Sequence, residues 1–250
     1  MSAGFAIVTG ASTGIGRELA RIAADNGYDL LLAADTPFGA DVPPRADTMI
    51  VDLSTQAGVD EMLARANGRP VDLLCANAGI SLGHSFVEQS AQGWQQVVAT
   101  NVFGTTCLLH SVLREMTRRG HGKVLVTGSI AGLVPGSYMA VYNATKAYLN
   151  LLCAGLRGEL VNHPGITLTT LLPGATETEI FHRAGLDETK VGHSDKADPA
   201  KVARDGWDAL MAGKADVVSG LLNKIAAAGS HIMPEKVAAA LHTIEAKPRN

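Results

Sequence analysis

A short apolar run, Phe5-Ala6-Ile7-Val8, ends in Thr9-Gly10-Ala11-Ser12-Thr13-Gly14-Ile15-Gly16 and passes directly into a segment carrying Ile15, Leu19, Ile22 and Ala23 at helical spacing. Strand, glycine turn and helix in that order constrain this chain more than any other feature. Glycines let a backbone approach a pyrophosphate closely, and the free N–H groups of a helix start face an anion. A tight connection with no ligand is the plainer alternative. The spacing departs from Gly-x-Gly-x-x-Gly, with three residues between the first two glycines.

The alternation continues down the chain. Strands are predicted at 5–8, 29–34, 49–51, 71–75, 123–127, 166–172 and 216–219. Helices are predicted from 15 to before 27, at 56–66, 94–116, around Tyr142, and at 199–211, with two more in the tail 221–250, the second carrying Val237, Leu241 and Ile244 along one face. The connection 36–47 holds Pro37, Pro43 and Pro44 and cannot carry a regular helix. Strands alternating with helices predict an α/β chain, a doubly wound parallel sheet of about seven strands covered on both faces. Without an internal repeat or linker, 1–250 reads as one domain. The polar stretch 177–198, anchored only by Ile180, Phe181, Leu186 and Val191, reads as a lid.

Ligands in such sheets bind at the carboxyl ends of the strands. The glycine turn, Asp35, Asp52, Asn77, Ser129 and Pro173 all follow predicted strands at that edge. Asp35 suits hydrogen bonds from the hydroxyls of an adenosine ribose and would repel a 2′-phosphate; a solvated strand-end acid is the equal alternative. Tyr142 and Lys146 are four apart on one helix face. A phenol titrates near ~10, and an adjacent ammonium is expected to lower that by roughly 1–3 units, towards general acid/base work. Asn101 lies within the apolar stripe 94–116, where an unpartnered amide would cost about 1–3 kcal/mol. It therefore has a hydrogen-bonding task, pinning a strand or holding a water.

Composition removes other classes. A net charge of −3 argues against a nucleic-acid partner. No apolar run reads as membrane-spanning, and the N-terminus lacks the layout of a signal peptide. Cys75, Cys107 and Cys153 stand singly, as reduced thiols of a cytoplasmic protein do, and the eight histidines show no ligand spacing, so no metal site is expected.

Taken together, these motifs resemble the short-chain dehydrogenase/reductase family over nearly the whole chain. Gly10, Ser12, Thr13, Gly14, Ile15 and Gly16 resemble its cofactor turn, Asp52-Leu53 its adenine-side pair and Asn77-Ala78-Gly79 its motif after the fourth strand. Asn101, Ser129, Tyr142 and Lys146 match its catalytic tetrad, and Pro173, Gly174, Thr176 and Thr178 its nicotinamide-side loop. The resemblance implies a Rossmann-type single domain and an oxidoreductase acting on an alcohol or carbonyl group of a small organic substrate. It implies NAD(H) through Asp35 and Thr13, with NADP(H) as the alternative. It also implies Tyr142 as acid/base, Lys146 on the nicotinamide ribose, Ser129 on the substrate oxygen and Asn101 on a water. A homodimer or homotetramer through helices around 92–119 and 137–162 is expected, without membrane association. His84, Phe181, His182 and His193 are candidate pocket residues, though ordinary loop positions are the plainer reading. A catalytically silent NAD(P)-binding regulator or scaffold is the alternative function. An epimerase or dehydratase would need a larger C-terminal substrate domain.

Overall fold

The computed structural model describes residues 2–230 and 233–248 of the 250. Residues 1, 231, 232, 249 and 250, which belong to the predicted domain or its tail, lie outside the described residues. Seven parallel strands form one sheet: β1 (Gly4–Thr9), β2 (Tyr28–Ala34), β3 (Ala46–Ile50), β4 (Leu73–Ala76), β5 (Gly122–Thr127), β6 (Ile166–Leu172) and β7 (Asp216–Val218). The order is β3-β2-β1-β4-β5-β6-β7, so the winding reverses between β1 and β4, where a crevice opens at the carboxyl edge. The third strand starts earlier than its apolar residues predict, and Val51 lies just beyond it.

Alternate residues of each central strand supply two cores. On one face Ile7, Leu31, Leu74 and Val124 meet α2 (Gln56–Arg65), α4 (Thr105–Arg119) and α5 (Ala140–Glu159) through Met62, Leu109, Met116 and Cys153. On the other, Val8, Leu32, Cys75 and Leu125 meet α1 (Gly14–Asp25) and α8 (Pro199–Met211) through Leu19, Ile22, Trp207 and Leu210. Burial on both faces explains why these strands read as continuous apolar runs rather than as alternation.

The predicted helix 94–116 has a different form. Between α3 (Ala91–Val98) and α4, residues Ala99–Gly104 form a π-helical turn. The extra residue shifts the phase of the stripe, leaving Val98 exposed at 37% while Val97 and Asn101 are buried. The continuous helical stretch Ala91–Arg119 is, among the described residues, long and apolar enough to cross a membrane by length and composition. That corrects the reading that no segment approaches that length; its inner side, Leu108, Leu109, Val112 and Met116, is core.

The stretch 177–198 contains two single turns, α6 (Ile180–Arg183) and α7 (Lys190–His193). Ala184, Leu186 and Thr189 between them are buried. Ala184 and Leu186 pack with Met139 ahead of α5 and with Ala246 of the last helix, α10 (Glu235–Ala246). The helix before it is α9 (Leu221–Ser230). Val237, Leu241 and Ile244 do lie outward together, each 48–62% exposed, while α10 packs through the small Ala238 and Ala246.

Candidate active site

The glycine turn is shaped by backbone crowding. Gly10 takes φ +64, and a Cβ on Gly16 would sit 2.1 Å from the carbonyl oxygen of Gly10. Only glycine permits that approach. Thr13, ahead of α1, makes no side-chain cap bond, so the first N–H groups of the helix face the crevice. Asn77 ties the turn to its neighbours: its amide donates to the carbonyls of Thr9 (3.2 Å) and Gly10 (3.4 Å), and it accepts from Thr127 Oγ1 at 3.0 Å. Its side chain is a strut joining β1, β4 and β5.

A cleft of about 380 Å³ follows this edge. Gly10, Ser12, Thr13, Gly14, Ile15, Asp35, Asp52, Leu53, Asn77, Ala78 and Gly79 line one part, and Ser129, Tyr142, Lys146, Pro173, Gly174, Thr176 and Thr178 the other. Gly16 and Asn101 stand behind the wall. Asn101 is fully buried; it accepts from the N–H of Ile80 at 2.9 Å and donates to the Ile80 carbonyl (2.9 Å) and Thr145 Oγ1 (3.0 Å). That clamp on the loop after β4 is the amide's structural task. A Cβ on Gly79 would lie 3.3 Å from Asn101 Oδ1 and 3.4 Å from Lys146 Nζ, so glycine leaves the space between them open.

Ser129 Oγ accepts from the N–H of Ala131 at 3.0 Å and donates to the carbonyl of Pro173 at 3.3 Å. Lys146 is 3% exposed and donates to the carbonyl of Thr127 at 2.8 Å, with Nζ 5.8 Å from the centre of the Tyr142 ring. Burial pushes the lysine down to about 8. Burial also pushes the Tyr142 phenol up to about 12, with the Ser129 side chain acting weakly the other way. This reverses the expected lowering. The ammonium donates to the backbone carbonyl of Thr127 at the end of β5, and the cost of taking a phenolate out of water raises the phenol. At neutral pH the pair is a phenol beside an ammonium, an arrangement suited to giving a proton to an oxygen held by Ser129.

Asp35 lines the far end of the cleft, but it is not a free acid. Arg183 of α6 reaches it with both guanidinium nitrogens, pairing across 148 residues of sequence. Both side chains are nearly half exposed, 45% and 49%. Such a pair is worth roughly 0.2–1 kcal/mol. The carboxylate holds the arginine above its usual range. No local sequence signal announces a contact between the end of β2 and the lid. Gln96 and Thr100 also line the cleft; four apart on one helix face, they could have been found by spacing. Ile80, Ser81, Glu179, Ile180, Phe181 and Arg183 line it as well. None of the three candidate histidines lines the cleft: His182 pairs with Asp187 at 2.9 Å, His84 lies against Gly185, and His193 is exposed.

Comparison with known proteins extends over this framework. The family model for short chain dehydrogenase matches residues 4–189. The 3-oxoacyl-(acyl-carrier-protein) reductase of Escherichia coli is 30% identical over 194 residues, covering 75% of this chain and 79% of the relative. A short-chain dehydrogenase structure from Streptomyces avermitilis superimposes with a TM-score of 0.81 at 27% identity, over 92% of this chain and 93% of that one. A short-chain dehydrogenase from Sphingobium yanoikuyae in complex with NADPH gives 0.78 at 26% identity, over 92% and 93%.

Proposed function

The chain belongs to the short-chain dehydrogenase family, and on that premise we propose that it transfers a hydride between a nicotinamide cofactor and the alcohol or carbonyl carbon of a small organic substrate. One observation carries the reading: Ser129, Tyr142 and Lys146 line the same cleft as the glycine turn and Asp35. The residues present fit a dinucleotide. Crowding at Gly16 forces a turn that a pyrophosphate can approach, the start of α1 offers uncapped N–H groups, and Asp35 stands where a ribose diol would end. NAD(H) is the favoured cofactor on Asp35, with NADP(H) as the alternative; the Sphingobium relative carries NADPH.

When bound, the nicotinamide supplies or accepts the hydride. The chain does the rest. Ser129 holds the substrate oxygen and fixes its direction. Tyr142, protonated at neutral pH, gives that oxygen its proton during reduction, and its phenolate takes the proton back in oxidation. Lys146 holds the nicotinamide ribose and returns a proton to Tyr142. Asn101 keeps a water in the space left by Gly79, connecting Lys146 to solvent. The stretch 177–198 acts as a lid, bringing Ile180 and Phe181 against the substrate side of the cleft. Val98, Phe103, Tyr148 and Leu151 are 37–74% exposed on the outer face of α3 to α5, which supports pairing of two chains there.

Reduced cofactor deuterated at the transferring position tests the reaction, with ketones, aldehydes and a 3-oxoacyl thioester as acceptors. Deuterium on the carbinol carbon of the product is expected. Cofactor oxidation that leaves the carbinol carbon unlabelled would rule out direct hydride transfer.

A further inference from the structure

Resting on the nicotinamide reading, we propose that Arg183 is a specificity-determining residue: it admits the 2′-phosphate of NADP(H) beside Asp35. Five charged side chains line the cleft among the described residues: Asp35, Asp52, Lys146, Glu179 and Arg183. Lys146 is buried at the catalytic end, on the carbonyl of Thr127. The remaining charges of the lining are three carboxylates and one cation. Thr13 in the glycine turn and Thr36 after Asp35 add no charge, and Ser12 is already bonded to Thr36 at 2.9 Å. Without Arg183, a 2′-phosphate of charge near −2 would meet carboxylates alone.

Arg183 changes that balance in two ways. It neutralises Asp35, and its planar fork matches phosphate oxygens as well as it matches a carboxylate. The pair is exposed and weakly held, so the guanidinium turns to a phosphate at little cost. An NAD(H) ribose needs no such turn. A carboxylate has about four acceptor positions, enough for the arginine and two hydroxyls together. Arg183 thus makes cofactor choice depend on the lid: Asp35 recognises the diol, and the lid arginine recognises the phosphate.

The test is titration of NADH and NADPH into wild type, Arg183→Gln, Asp35→Asn and the double variant. Arg183→Gln is expected to weaken NADPH by about tenfold or more while moving NADH by less than about threefold. The arginine is half exposed, so its replacement leaves the fold intact. In the Asp35→Asn background NADPH binds more tightly, and Arg183→Gln still costs it about tenfold, because the phosphate contact is direct. Equal losses for both cofactors, or no loss for NADPH, would overturn the proposal, as would disappearance of the cost in the Asp35→Asn background. Failure of wild type to bind either cofactor would instead overturn the nicotinamide reading itself.

Discussion

Asn101, Ser129 and Lys146 are at most 6% exposed, and each is tied by hydrogen bonds to backbone of another segment. The covering stretch is joined differently. Arg183 reaches Asp35 and Lys190 reaches Glu245 of α10 through ion pairs whose side chains are 44–51% exposed. A small apolar cluster of Met139, Ala184, Leu186 and Ala246 underlies them. The proposed proton transfer asks for fixed distances, and buried groups locked by bonds that water cannot compete for meet that need. Selection of a ligand asks for a surface that opens, and weak exposed pairs over a small core provide it.

The largest expected effect breaks the fixed side. Tyr142→Phe removes the proposed proton donor with little change of shape, and turnover should fall by about 10²–10⁴-fold with cofactor affinity within about twofold. Steady-state rates beside a fluorescence titration check it. A near-normal rate would show that the phenol is not the acid.

Lys146→Met asks whether the buried ammonium is a burden on the fold. Its folded pKa lies at about 8, below the ordinary 10.5. Between those values the unfolded chain binds the proton that the folded chain has lost, so wild-type stability rises with pH through that window. Below pH 8 the desolvation cost is fully present, on the order of 3 kcal/mol. The variant should therefore be the more stable protein at pH 7, with the gap closing towards pH 10; denaturant unfolding at both values reads it. A gap that stays constant would mean that Lys146 is not held below its usual range.

Gly16→Ala puts a methyl group 2.1 Å from the Gly10 carbonyl oxygen and should cost roughly 1–3 kcal/mol, seen as a lower unfolding midpoint and weaker cofactor binding. The smallest effect falls on the covering side. Glu245→Gln breaks the pair with Lys190 and should change stability by less than about 1 kcal/mol. A larger loss would mean that this side is as rigid as the other.

The two sides differ in legibility as well. Buried parallel strands impose runs such as Ala6-Ile7-Val8 and Leu30-Leu31-Leu32, and tight turns demand glycine, so sheet, turn and edge placement could be read from residues alone. The 166–172 and 199–211 elements fall where their patterns place them. What stayed hidden depends on partners distant in sequence. The π turn at Ala99–Gly104 leaves no compositional mark. The Tyr142 phenol is raised rather than lowered because burial, invisible in a spacing, is the largest cause acting on it. Asp35 could be placed at a strand end, but Arg183 lies in a polar stretch with no period to fix its direction. The outward face of α10 followed from the helix packing through alanines, which apolar patterning assigns to no side.

Binding and turnover measured together in wild type separate a dehydrogenase from a protein that only binds the dinucleotide. NADH and NADPH are titrated by fluorescence, and the same samples then receive the carbonyl panel while cofactor oxidation is followed. Saturable cofactor binding and oxidation that depends on a carbonyl acceptor is the predicted result. Tight binding with no oxidation across the panel would contradict it and make the protein a silent dinucleotide binder.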